Sequence, residues 1–387
     1  MGTDYLLALE DVPDAERGLA ERTRALLDER VMPRIADLYE AGGFPDDVVA
    51  ALAGLGLFGA HVPGMASASG LAWGLALREL ERCDSGMRSF VSVQACLAMT
   101  AIARYGSEAQ GRAWLGRMAE GAAIGCFALT EPGHGSDPGG METRATAHGG
   151  GYRLSGHKRW ATNSPIASIA VVWAQIGDEG DPRGVRGFVV PLPHPGVEVR
   201  RIDRKLSLRV SHSGEIWLRD AELPADAILP GASGLGAALS CLNEARYSIV
   251  WGAVGAAEAC LEAALTRTRT RRQFGRPLAG FQLVQQRLVE MLDDVTTAQL
   301  VARQLAGLKD RGALRHQHVS FGKRHNVAAA QRVAARARAL FGAEGIVVDS
   351  HVMRHMANLE TVATYEGTEE IHTLVLGADL TGESAFR

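Results

Sequence analysis

From Asp14 to Glu120 apolar residues recur at three- and four-residue spacing, the repeat of one helix face. The pattern predicts helices over 20–35, 46–57, 71–82 and 89–105. Pro45 and Asp46 suit a helix start, and Pro63, Gly64 and Ser67 mark a loop. At Gly125 the texture changes to short apolar runs separated by turn residues: 126–130, 152–154, 158–162, 169–175, 187–191 and 215–218. With Gly149-Gly150-Gly151 and Gly156-His157 as turn candidates, this reads as an antiparallel β domain. After Pro230-Gly231-Ala232-Ser233-Gly234 long helical patterns return over 235–267, 281–311 and 319–341, lengths that suit a bundle. The expected fold is mainly α with a β domain. It comprises an N-terminal α-helical domain (1–124), a middle antiparallel β domain (125–232) and a C-terminal four-helix bundle (233–387).

Composition narrows the class. A chain of 387 residues is too long for a single core, which agrees with the three textures. A net charge of −3 with 22% charged residues gives no reason to expect nucleic acid or an anionic membrane as partner. Cys83, Cys96, Cys126, Cys241 and Cys260 show no CxxC spacing, so neither a disulfide framework nor a thiolate zinc site is expected. The start of the chain lacks a signal-peptide layout and no apolar run reads as a bilayer span. A cytoplasmic protein without membrane insertion is the expectation.

Several motifs carry less than their letters suggest. Gly54-Leu55-Gly56-Leu57-Phe58-Gly59 matches GxGxxG but follows a helical pattern, so its glycines are expected to end a helix. His351 and His355 have ligand spacing, but Val352 stands where a zincin has its glutamate, and no third ligand follows; His316 and His318 are read alike, so no metal is expected. The run Arg267, Arg269, Arg271, Arg272, Arg276 is better suited to a helix end or a small phosphate site than to nucleic acid.

Four segments carry chemistry. Thr130-Glu131-Pro132-Gly133-His134-Gly135-Ser136-Asp137-Pro138 follows an apolar strand, and its glycines and hydroxyls allow close approach to a phosphate or ring. Lys158-Arg159-Trp160-Ala161-Thr162-Asn163 offers one aromatic face and one hydroxyl. Arg271-x-Gln273-Phe274-Gly275-x-Pro277-Leu278 leads to Gln282. Tyr365-Glu366-Gly367-Thr368 places a carboxylate beside a glycine near the end of the last long helical region.

In this order and spacing the four segments resemble the acyl-CoA dehydrogenase family over essentially the whole chain. The resemblance implies FAD, held between subunits of a homotetramer, with an acyl-CoA substrate and an electron-transferring flavoprotein as acceptor. It implies that Leu129, Thr130, Ser136, Trp160, Thr162, Phe341, Gly342, Thr368 and Phe386 contact FAD. Arg271, Phe274 and Gln282 would bind the FAD of a neighbouring subunit. Ser136, Asn243, Arg246, Tyr365 and Gly367 would line the acyl-CoA site, and Glu366 would be the base. Ala245 stands where some long-chain members carry theirs. Ala161 replaces a usual isoleucine, and Glu344 stands near the expected pyrophosphate contact.

The stretch from Glu81 to Gln94 concerns the acyl group. Arg88 precedes a mostly apolar helix, where a guanidinium can grip a carboxylate bidentately or pair with Asp84 or Glu81. This stretch, with Glu142-Thr143-Arg144, Asn163-Ser164-Pro165 and Ala245-Arg246-Tyr247, is similar to the glutaryl-CoA dehydrogenase branch of the family. There Arg88, Ser89 and Ser92 would bind a distal carboxylate, and the reaction would be oxidative decarboxylation to crotonyl-CoA. The alternative is simple dehydrogenation of another dicarboxylic or branched acyl thioester, linked to CoA or a carrier protein. Met87, Phe90 and Val91 depart from that branch, as does a short loop over 63–70.

Overall fold

The computed structural model describes residues 3–65, 68–177 and 181–386; Ser67, one of the expected loop residues, lies outside the described residues. The N-terminal helices are α1 (Asp14–Arg30), α2 (Ile35–Ala41), α3 (Val49–Gly54), α4 (Gly70–Cys83), α5 (Ser85–Ser92), α6 (Thr100–Tyr105) and α7 (Glu108–Ala119). The expected single helix over 20–35 is interrupted by a 3-10 turn, Met32–Arg34, because Pro33 has no amide proton to continue the ladder. The expected helix over 46–57 shrinks to a 3-10 turn and α3. Gly56 beyond it has φ 81°, so the GxGxxG letters do end a helix.

Two caps set the entry to the site-bearing helices. The Ser69 side chain accepts from the Ala72 amide at the start of α4, and Asp84 accepts from the Gly86 amide at the start of α5. A π segment, Val93–Met99, joins α5 to α6. The resulting helix Ser85–Tyr105 and the later helix Leu235–Thr270 are each long and apolar enough to cross a membrane by composition, which the sequence reading missed. Their most apolar windows are 94% and 72% buried inside the protein, so their apolar faces belong to the core.

The middle section is a sheet of β1 (Gly125–Ala128), β2 (Arg144–His148), β3 (Gly151–Thr162), β4 (Ile169–Gln175), β5 (Val185–Pro191), β6 (Val197–Arg201) and β7 (Ser213–Leu223). The strand order is β1-β4-β2-β3-β7-β6, with β5 also on β4. Antiparallel pairing dominates, as expected, but β1 runs parallel to β4 with Gly125 opposite Ile169. Gly149 and Gly150, at φ 56° and 81°, make the tight turn between β2 and β3. Gly156-His157, the other turn candidate, instead lies inside β3 beside a register shift against β7.

The C-terminal helices are α8 (Leu235–Thr270), α9 (Gln282–Asp310), α10 (His316–Phe341), α11 (Val352–Thr364) and α12 (Glu369–Thr381). A short hairpin, β8 (Arg272–Gln273) and β9 (Arg276–Pro277), links α8 to α9. Helices α8 to α11 close a bundle around Ile249, Ala256, Met291, Val295, Val333 and Leu359. The opposite face of α8 contributes Tyr247, Val250, Trp251 and Val254 to the core shared with α4 and α5. Helix α8 therefore carries residues to both sides of the seam where the site forms.

Candidate active site

Tyr365-Glu366-Gly367-Thr368 is the connection between α11 and α12. Glu366 adopts φ 54° and Gly367 φ 92°. The left-handed region is uncommon for a residue with a side chain and persists where surroundings fix it. Here two cations do so. Lys323 Nζ of α10 donates to the Tyr365 carbonyl at 2.6 Å and to the Gly367 carbonyl, while Arg246 Nε of α8 donates to the Glu366 carbonyl at 2.8 Å. Arg246 Nη1 also donates to Asn243 Oδ1 at 3.0 Å, which brings both expected α8 residues to the loop. Thr368 caps α12, accepting from the Ile371 amide at 3.3 Å.

The Glu366 carboxylate has a buried Oε2 without a hydrogen-bond partner among the described residues. Burial pushes its pKa up, against the pull of Arg88, Lys323 and Arg246. A carboxylate with an open lone pair and raised basicity is equipped to take a proton. Against Gly367 lies His372, whose Nδ1 is 3.0 Å from Ser320 Oγ. Burial drives its imidazole down to about 3, so it is neutral at physiological pH.

On the other side of Tyr365 stands a buried charged chain. Arg88 Nε donates to Glu81 Oε2 at 2.6 Å, and both side chains are fully buried. Arg88 Nη2 donates to the Tyr365 hydroxyl, which lies 3.1 Å from Ser89 Oγ. Ser85 Oγ donates to Glu81 Oε1 at 2.9 Å. Among the described residues Arg88 Nη1 is buried with no partner. Asp84, the other expected partner, instead binds Arg354 at 2.5 Å and Asn358 at 2.9 Å. The pair exists only because α8 carries a glycine: a Cβ on Gly252 would stand 1.9 Å from Glu81 Oε2. Ser92 is also buried, but its hydroxyl faces Ser248 Oγ at 2.8 Å. Phe90 lays its ring against Phe44 and Phe58, with centroids 4.7 and 5.8 Å away, so its bulk fills the N-terminal core.

The sheet supplies an aromatic wall. Leu129 and Thr130 are fastened to β3: Lys158 Nζ donates to the Leu129 carbonyl at 2.9 Å, and the Arg159 amide to the Thr130 carbonyl at 2.9 Å. Lys158 also meets Glu131 Oε1 at 2.8 Å, and the Glu131 carboxylate accepts from the Glu142 and Thr143 amides at 2.6 and 2.9 Å. Trp160, at φ 64°, is 54% exposed although it sits in a sheet. Thr162 pairs with Ser213. The next residue, Asn163, donates to the Phe90 carbonyl at 3.2 Å and docks this end of β3 onto α5, the helix of Arg88 and Ser89. Ser136 lies exposed on the loop after β1.

A second group gathers elsewhere. Arg271 lines a surface pocket of about 350 Å³ with Arg267, Leu278, Phe341, Gly342 and Glu344. Phe274 at the hairpin tip is 93% exposed, with Phe281 as its ring neighbour, and Gln282 beside it is exposed. Among the described residues no hydrogen bond joins Arg271, Phe274 or Gln282 to the Glu366 loop. Phe386 is half-exposed in the tail after α12. No group of three or more His, Cys, Asp or Glu side chains is placed to hold a metal among the described residues, and His355 is a buried side chain held neutral by burial.

Sequence reasoning missed Lys323, the Lys158–Glu131 pair and His372. Lys323 had a readable signal: with Val319, Val327 and Ala330 it occupies the buried stripe of α10.

Residues 13–122, 126–221 and 232–381 match the N-terminal, middle and C-terminal domains of acyl-CoA dehydrogenase. A crystal structure of glutaryl-CoA dehydrogenase from Mycobacterium smegmatis is 48% identical with a TM-score of 0.96, covering 100% of both chains. A second structure of a glutaryl-CoA dehydrogenase from that organism, in complex with FADH2, is 43% identical with a TM-score of 0.96 over 100% of both chains. The human mitochondrial short-chain specific acyl-CoA dehydrogenase is 32% identical over 375 residues, 96% of this chain and 91% of that protein. FAD is the cofactor of the fold, and the residues present fit it. Trp160 leaves an aromatic face uncovered, Thr162 adds a hydroxyl, and the pocket beside Phe341 sets two arginines against the single acid Glu344.

Proposed function

The chain belongs to the acyl-CoA dehydrogenase family, and we propose that its substrate is glutaryl-CoA, oxidised and decarboxylated to crotonyl-CoA. One observation carries this choice: Arg88 Nη1, buried and unpartnered, on a guanidinium whose other nitrogens are held by Glu81 and Tyr365. A buried cationic N–H without an acceptor is unfavourable, and a carboxylate at the far end of an acyl chain supplies the acceptor. Tyr365, the residue before the base, ties that clamp to Glu366 through the backbone. The 48% identity to a glutaryl-CoA dehydrogenase supports the reading.

The α-proton of a thioester is weakly acidic, so its removal needs a positioned base, and Glu366 is that base. Bound FAD supplies the acceptor for the hydride leaving Cβ. Oxidation leaves glutaconyl-CoA, whose carboxylate is conjugated through the double bond to the thioester. Losing carbon dioxide places the bonding electron pair in a dienolate, and protonated Glu366 returns its proton at Cγ. Burial of Glu366 favours this second role as well, because it stabilises the protonated form.

Incubating the FAD-loaded protein with glutaryl-CoA and an electron acceptor, an electron-transferring flavoprotein or a dye, tests the reading. Stoichiometric carbon dioxide and crotonyl-CoA are expected; turnover of butyryl-CoA with none of glutaryl-CoA would contradict it. We also propose a homotetramer whose subunits cover Phe274 and Leu283, which stand 93% and 74% exposed in the single chain. Sedimentation at the mass of one chain would refute that assembly.

A further inference from the structure

Lys323 is an unusual residue for the interior of a helical bundle. Its side chain is buried, yet among the described residues its ammonium forms no ion pair with a carboxylate and donates to main-chain carbonyls instead. A buried ammonium is unfavourable unless hydrogen bonds replace its water. Its hydrogen bonds go to two main-chain carbonyls, those of Tyr365 and Gly367, the residues on either side of Glu366. Arg246 takes the carbonyl between them. Three successive carbonyls therefore accept from two cations.

We propose that Lys323 is a positioning residue for Glu366: its ammonium fixes the left-handed backbone from which the base projects and places a positive charge near the carboxylate without touching it. The separation is the functional point. A contact ion pair would occupy the lone pair that must receive the proton and would weaken the base. A cation anchored on the neighbouring carbonyls favours the ionised carboxylate through space and leaves Oε2 open, and Oε2 is unpartnered. The attraction is mutual: burial drives the Lys323 ammonium toward its neutral form and the Glu366 charge opposes this. The groups facing Glu366 are Glu81 from α4, Arg88 from α5, Arg246 from α8, Lys323 from α10 and the neutral His372 from α12, with the phenol of Tyr365 beside it. Only Lys323 both carries charge and holds the backbone on both flanks of the base.

The inference rests on Glu366 acting as the base, so its test uses butyryl-CoA beside glutaryl-CoA and does not depend on the distal carboxylate. The FAD-loaded wild type, Lys323→Met and Lys323→Arg are compared by flavin reduction across pH. Deprotonation of a 3-ketoacyl-CoA, which ionises without being oxidised, is followed in parallel. Lys323→Met should keep its FAD, shift both pH midpoints upward and slow reduction by about 10²-fold, the lower range for a displaced acid–base group. Lys323→Arg keeps the charge, but its planar fork caps the carbonyls differently, so it should react more slowly with an unmoved midpoint. Should Lys323→Met not retain FAD, the arginine variant decides: slowed reduction at the wild-type midpoint supports the role, and wild-type rates overturn it. An unmoved midpoint in FAD-bound Lys323→Met overturns the inference alone. A wild type reduced by neither thioester overturns the reading of Glu366 beneath it.

Discussion

Two of the buried ion pairs among the described residues, Lys158–Glu131 and Arg88–Glu81, differ in what they leave open. Lys158 and Glu131 form a closed set: the amine reaches Glu131 and the Leu129 carbonyl, and the carboxylate accepts two further amides. Burial drives the Lys158 ammonium down to about 8; burial also opposes the Glu131 charge, but Lys158 and the amides hold that carboxyl below the usual range. Arg88 and Glu81 are equally buried, but their chain runs on through Tyr365 to Glu366 and ends in two atoms without partners, Arg88 Nη1 and Glu366 Oε2. The closed set ties a loop to a strand. The open one leaves one buried donor and one buried carboxylate oxygen without partners among the described residues.

The largest expected effect lies at the open end. Glu366→Gln removes the base while keeping the shape, so flavin reduction by any acyl-CoA should fall by about 10⁴-fold with FAD still bound. Anaerobic stopped-flow absorbance measures it, and retained reduction would remove Glu366 from the chemistry. Next comes the closed pair. Lys158→Met strands the Glu131 charge and should cost about 3–5 kcal/mol of stability in urea titration. A loss near zero would mean the pair is not the fastening described. Smaller again, Gly252→Ala pushes a methyl into the Glu81–Arg88 contact, and overpacking there should cost about 1–3 kcal/mol. Its activity loss should be greater on glutaryl-CoA than on butyryl-CoA, and equal losses would detach Gly252 from the clamp.

The smallest effect separates the two regions by pH. Glu366 has a raised folded-state pKa, so the unfolded chain ionises first as pH climbs past 4.5, and wild-type stability falls until the folded pKa is passed. Glu366→Gln carries no such term. Its melting temperature relative to wild type should therefore rise with pH across that window and then level off. Glu131, with a lowered folded pKa, acts in the opposite sense: its stabilisation is present above the ordinary value of 4.5 and is lost on acidification. A pH-independent difference between wild type and Glu366→Gln would show that burial does not perturb this carboxyl.

Much of this was legible in the sequence, for identifiable reasons. The long C-terminal helices were readable because their apolar stripes persist for many turns: α8 starts at Leu235 and α10 ends at Phe341, the limits that the spacing set. Strands β2 and β6 were missed because Arg144–His148 and Val197–Arg201 are short and largely half-buried or exposed, each with only two apolar side chains to mark the period. The parallel β1–β4 pairing was missed because strand direction is a property of chain connection, not of side-chain period. At the site, the Glu366 motif and Arg88 were readable as local signatures. Lys158 was not, because a lysine is ordinarily a solvated residue and its burial depends on partners distant in sequence; Lys323 showed only as a polar residue in register with the apolar stripe of α10. The ambiguity over Arg88 dissolves in three dimensions: it does pair with Glu81, and one of its donors is left without a partner among the described residues.

The central claim is that this remaining donor recognises a substrate carboxylate. Arg88→Lys retains a cation for Glu81 while removing the fork, and the rate of flavin reduction by glutaryl-CoA relative to butyryl-CoA reads the difference directly. The account predicts that this ratio falls by about 10²-fold, the loss of one charged hydrogen-bonding arrangement, with butyryl-CoA reduction little changed. An unchanged ratio would contradict it.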